Sequence, residues 1–113
     1  MINSITGEKI TQKRIIKRTM EILFSIDGVE DTVGNLTNDI VKIFGKDTQL
    51  KGVNIEEIGE SEIRLEIFIK TNIGYPIPKI AQMAQRKIKE EIEDYYKIKV
   101  ASVDVNVMEV QFE

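Results

Sequence analysis

Between residues 63 and 70 the chain alternates without a break, Ile63, Leu65, Ile67 and Ile69 against Arg64, Glu66, Phe68 and Lys70. Successive side chains of an extended strand point to opposite faces, so this run can bury one face only. It requires a sheet with apolar cover on one side. The preceding stretch, Gly52 to Ile58, is separated from it by Gly59-Glu60-Ser61-Glu62, and the two predict a β-hairpin. Twenty isoleucines in the chain make β-propensity by itself a weak guide, so the alternation carries the assignment.

Cover for that face comes from two helical stripes. Ile15, Ile16, Thr19, Met20, Ile22, Leu23 and Ile26 recur at helical spacing, with Lys13, Arg14, Lys17, Arg18 and Glu21 on the other face, predicting a helix from about Gln12 to Phe24. Thr11 is its N-cap candidate, although Arg14 stands where a capping box places Glu or Gln, and Asp27-Gly28 ends it. Thr37 to Gly45 reads as a short second helix closed by a glycine cap. Pro76 and Pro78 open a long helix, where a first-turn proline sacrifices no hydrogen bond. Its buried stripe is expected to be Ile77, Ile80, Ala81, Ala84, Ile88, Ile92 and Tyr95, ending near Tyr96. Val103, Val105 and Val107, alternating with Asp104, Asn106 and Met108, predict a last strand from about Lys99 to Val110.

The order is therefore α, short α, β, β, α, β: a single α+β domain over residues 1–113, with a three-stranded sheet carrying its helices on one face. Strand order does not follow from the pattern. A chain of 113 residues can build one core, and its 42% apolar and 31% charged residues suit a folded domain throughout, with Met1 to Thr6 the stretch to exempt.

Composition also removes classes of chemistry. With neither cysteine nor histidine, disulfides, thiolate nucleophiles, sulfur-ligated metals and the commonest general base are excluded. No nucleophile, base and orienting group can be assembled from what remains, so no catalytic residue, metal site or cofactor is expected. A net charge of −3 opposes broad adhesion to nucleic acid, which depends on Lys and Arg neutralising phosphates. Apolar runs as short as Ile22-Leu23-Phe24 predict neither a signal peptide nor a membrane span.

The segment Ile77-Pro78-Lys79-Ile80-Ala81-Gln82-Met83-Ala84-Gln85-Arg86-Lys87-Ile88-Lys89 and the close Val103-Asp104-Val105-Asn106-Val107 resemble the alkaline shock proteins of Gram-positive bacteria. The block from Asn38 to Val53, with Phe44-Gly45 and Lys51-Gly52-Val53, is similar to the same family, as are Gly7, Ile10, Ile15 and the Asp27-Gly28-Val29 turn. Met20, Leu23, Phe24 and Lys79 depart from its pattern of small first-helix residues and an acid near position 79, which bears on partner surfaces more than on the fold. The resemblance implies a cytoplasmic, non-enzymatic protein of envelope homeostasis or stress response, in some members held at the membrane by a partner protein. It brings no active site with it.

Candidate surfaces remain. Lys13, Arg14, Lys17 and Arg18, with Lys9, concentrate positive charge near the start of the first helix; this reads first as a solvated face and second as a site for an anionic lipid or acidic partner. Glu90, Glu91, Glu93 and Asp94, interleaved with Arg86, Lys87, Lys89 and Lys97, read as surface charge in i,i+4 pairs, and Gly74 to Pro78 as a rigid turn. If Val103, Val105 and Val107 face the helices, Phe68, Met108, Val110 and Phe112 fall on the opposite sheet face as an apolar patch for self-association or a protein partner. The competing function is a small RNA-binding module, against which stand the acidic balance and the lack of a glycine clamp or paired aromatics on a central strand.

Overall fold

The computed structural model describes residues 1–32 and 52–111. Its elements run α1 (Gln12–Phe24), β1 (Val29–Thr32), β2 (Val53–Gly59), β3 (Glu62–Asn72), α2 (Ile77–Tyr96) and β4 (Lys99–Gln111). The short helix expected at Thr37 to Gly45 lies outside the described residues.

β3 is the central strand. Along one edge β4 runs parallel to it, from Glu62 opposite Lys99 to Asn72 opposite Gln111. Antiparallel partners share the other edge: β2 covers the first half, with Val53 opposite Ile67 and Ile55 opposite Leu65, and β1 covers the second, with Val29 opposite Thr71. Two parallel neighbours need a crossover, and α2 supplies it. Among the described residues the sheet is thus mixed and four-stranded where three strands are expected from the sequence. The additional strand, Val-Glu-Asp-Thr, is too short to show a period of two, and it forms because the Gly28 turn delivers it to the free end of β3. That turn needs glycine: φ at Gly28 is +96°, and its carbonyl accepts from the Asn72 N–H at 2.8 Å.

The alternating run behaves as its pattern requires. Ile63, Leu65, Ile67 and Ile69 are at most 1% exposed, and both helices cover this face. From α1 come Ile15, Ile16, Thr19, Ile22 and Leu23; Thr11 caps its start, its hydroxyl accepting from the Arg14 N–H at 3.3 Å. From α2 come Ile80, Ala84, Ile88, Ile92 and Tyr96. This ridge steps by four residues throughout, so it ends on Tyr96, and Tyr95, expected in the stripe, stands 63% exposed. Ile77 likewise emerges at the helix start.

The first residues are held, contrary to the expectation for Met1 to Thr6. Ile2 forms a bridge with Lys9 and donates its N–H to Glu60 at 2.7 Å, while Ser4 hydrogen-bonds the Lys97 carbonyl at the left-handed cap of α2. The Met1 ammonium sits 3.0 Å from Glu57, and hydrogen bonds from it and from Gln12 hold that carboxyl below the usual range. Apart from the Ile2–Lys9 bridge, no local pattern announces these contacts, because Glu57, Glu60 and Lys97 are distant in sequence.

Candidate functional site

Arg14 and Arg18 stand one turn apart on the outer side of α1, with Lys17 between them and Glu21 a further turn along. Facing them is the end of α2. Since consecutive helical residues point about 100° apart, Tyr96 can enter the core while Tyr95 stays outside. The two rings meet edge to face, centroids 4.8 Å apart at 78°.

These six side chains line an open cleft of about 380 Å³. The Arg14 guanidinium lies 5.6 Å from the Tyr96 ring centre, and that of Arg18 lies 6.0 Å from Tyr95. Each cation thus faces the electron-rich surface of a ring. The Tyr96 hydroxyl donates to the Arg14 carbonyl at 3.2 Å and joins the helices. Burial pushes its phenol up, and the nearby arginines only partly oppose that.

Carboxylates at the rim hold the arginines. Arg18 divides its fork between Glu21 at 3.3 Å and Glu91 at 3.1 Å, and Arg14 lies 3.5 Å from Glu8. Lys17 has no ion pair among the described residues, and the Arg18 Nε is buried without a hydrogen-bond acceptor. The structure therefore gathers three of the four predicted basic residues, Arg14, Lys17 and Arg18, into one concavity, while exposed Lys13 stays outside its lining. The sequence pattern places Tyr95 in the core and so does not predict the aromatic wall, although the Tyr95-Tyr96 pair at the end of a four-residue ridge is a signal for it.

The other carboxylates of α2 are tied locally. Asp94 pairs with Lys97, while Glu93 accepts from Lys89 at 3.1 Å and from the Val100 N–H at 2.9 Å. Lys89 also donates to the Val100 carbonyl at 2.8 Å, so two side chains cap both backbone groups at the start of β4.

The alternation on which the expected apolar patch rests does not run unbroken through β4. Phe68 is only 9% exposed: as a large ring mid-sheet it is flanked on its own strand by Glu66 and Lys70 and across the ladder by Asn106. The register slips between Ile69 and Lys70, pairing Ile69 with Val107 but Lys70 with Glu109, so Met108 is an extra residue in the ladder. Val110 then pairs with Thr71, a member of the buried series, and the alternation that would join it to Phe68 is broken. Phe112 lies outside the described residues, as do the side chains of Met108 and Val110.

The model of the alkaline shock protein 23 family, described by a cell envelope-related function, matches residues 2–112. The chain belongs to the alkaline shock protein family. No curated protein matches its sequence. Among solved structures it is similar to MamM-CTD. A histidine-to-alanine variant of that protein superposes with a TM-score of 0.55 at 10% identity, covering 89% of this chain and 100% of the other. A copper form gives the same values, and a nickel form gives 0.54 at 10% identity over 88% and 100% of the two chains. At such identity the likeness concerns the fold, and function has to be argued from the side chains. Among the described residues no helix is long and apolar enough to cross a membrane.

Proposed function

We propose that this alkaline shock protein is a non-enzymatic, cytoplasmic component of envelope homeostasis in a Gram-positive cell, acting by association with a protein partner held at the membrane. The family's envelope-related description sets the physiological frame. The cleft of Arg14, Lys17, Arg18, Tyr95 and Tyr96 is the observation that carries the association reading. Arginine and tyrosine are the residues that interfaces enrich, because each offers a large rigid surface with a polar end. Here they line a concavity that the core leaves outside. No nucleophile and base are brought together there, and its charged groups are two arginines, a lysine and a glutamate, a set suited to recognition.

RNA binding is less well supported by the same geometry. Glu8, Glu21 and Glu91 rim the cleft, and an isolated exposed ring offers no platform for successive bases.

Fractionation of Gram-positive cells, followed by cross-linking, tests the reading. The chain should sediment with membranes and be released when surface-accessible membrane proteins are digested. A chain that stays wholly in the supernatant and cross-links to no protein would overturn it.

A further inference from the structure

We propose that the cleft between α1 and α2 binds an acidic peptide segment of a protein partner, which sets a carboxylate among Arg14, Lys17 and Arg18 and an apolar side chain against Tyr95. The proposal rests on the association reading and names the chemistry of the partner.

Charge complementarity identifies the occupant. Three cations and one carboxylate line the cleft, and Lys17 has no ion pair among the described residues. The groups already engaged there are all carboxylates: Glu8 on Arg14, and Glu21 and Glu91 on Arg18. These pairs are at least one-third exposed on both sides, so each is a weak, solvent-screened contact that an incoming carboxylate can exchange with. Arg18 spends its two terminal nitrogens on separate acids, leaving the forked geometry that suits a single carboxylate unused, and its Nε has no acceptor among the described residues.

The ring beside these cations selects a peptide over other anions. Tyr95 is 63% exposed and meets edge to face the Tyr96 ring, which is bonded to Arg14, so the cleft offers one apolar wall next to the cations. An acidic residue followed by an aliphatic or aromatic one fills both. A bilayer presents its charges as a plane, whereas these cations line an open cleft between two helices and are rimmed by acids. A nucleic acid would bring phosphates past the same three rim carboxylates.

An array of immobilised short peptides tests this, each carrying Asp or Glu beside an aliphatic or aromatic residue, with its Asn or Gln counterpart alongside. The folded full chain should retain acidic peptides over their amide counterparts, and high salt should weaken the retention. In solution titrations of the best peptides, Lys17→Glu should weaken binding about tenfold and Tyr95→Ala several-fold, while Lys79→Glu, an equal charge change outside the cleft lining, should alter it less than about twofold. Circular dichroism of each variant establishes that it is folded; Tyr95→Ala, at an exposed position, keeps the test informative should Lys17→Glu lose its fold.

Indifference to the amide counterparts would overturn the proposal, as would equal weakening by Lys17→Glu and Lys79→Glu. Cleft-dependent binding confined to phosphatidylglycerol vesicles or single-stranded RNA would overturn it as well. If the peptides fail while the Lys17→Glu chain still sediments with membranes through a protein, the cleft assignment falls and the association reading stands.

Discussion

Replacing Gly28 by alanine measures how much of the turn after α1 is packing and how much is backbone. Gly28 has φ +96°, and a Cβ there would stand 2.7 Å from two atoms of the Tyr75 ring and 2.8 Å from the Ile80 Cδ1. Gly74 has almost the same backbone, φ +94°, with nothing within 4 Å of the corresponding position. Gly74→Ala therefore reports the left-handed conformation alone, about 1–2 kcal/mol for an L-residue. Gly28→Ala adds the steric part. Ile80 is buried and cannot withdraw, whereas Tyr75 is half-exposed and can swing outward only by giving up its seat on the turn. Overpacking of this kind costs about 1–3 kcal/mol, which brings the total for Gly28→Ala to roughly 2–5 kcal/mol. Urea denaturation of both variants at unchanged m-value gives the difference directly. Tyr75→Ala in the Gly28→Ala background should recover part of the loss, because the two residues share one contact. Equal losses at Gly28 and Gly74 would refute the close packing of Tyr75 and Ile80 on the turn.

A buried hydroxyl and a partly exposed carboxylate offer two further tests. Thr71 is fully buried and its hydroxyl has no hydrogen-bond partner among the described residues, so Thr71→Val should raise stability by about 1 kcal/mol in the same assay; a loss would show that the hydroxyl is satisfied. Burial pushes the Glu93 carboxyl up, but hydrogen bonds from Val100 and Lys89, with the charges of Lys89 and Lys99, outweigh it and hold the folded value below the ordinary 4.5. A depressed folded value contributes stability above the unfolded one and loses it as pH falls through the folded one, so Glu93→Gln should destabilise at neutral pH and flatten the acid limb below about pH 4.5. Parallel pH profiles for the two proteins would remove Glu93 from the acid transition.

What the sequence disclosed was the part governed by local period. Strict alternation at Ile63 to Lys70 and the helical stripe of α1 need no knowledge of neighbours, and both occupy the faces that their patterns assign. Failures begin where a neighbour decides. Tyr95 fits a helical stripe as well as Tyr96 does until the sheet selects the row of Ile80, Ala84, Ile88 and Ile92, which continues only to Tyr96. The Met108 slip cannot be read from the valines around it, because a bulge preserves their sequence while changing their pairing. β1 has too few residues for any period, and the docking of Met1 to Ser4 depends on Glu57, Glu60 and Lys97. The basic residues of the cleft were visible as a cluster, but their aromatic wall sits on a helix that begins far along the chain.

The placement of those basic residues runs against what α1 would choose for its own stability. The first turn of a helix favours acids, since its free N–H groups carry partial positive charge. In α1 that turn holds no acid, and Lys13 and Arg14 stand in or beside it. Compensation comes from outside the turn, through Glu8 ahead of the helix on Arg14, while Glu21 near the helix end and Glu91 on α2 hold Arg18 one turn further along. Exchanging the signs of these residues would keep every ion pair and improve the dipole term by a few tenths of a kcal/mol or more, so stability does not account for the arrangement. In a chain of net charge −3, Arg14 and Arg18 are held by Glu8, Glu21 and Glu91, while Lys17 has no ion pair among the described residues and adds a cation to the same concave site. At physiological ionic strength a charge acts over about 8 Å, so Lys17 favours a carboxylate at the mouth of the cleft and contributes nothing to more distant surfaces. A local preference set aside at one surface, with the rest of the helix obeying its pattern, is the signature expected of a recognition site.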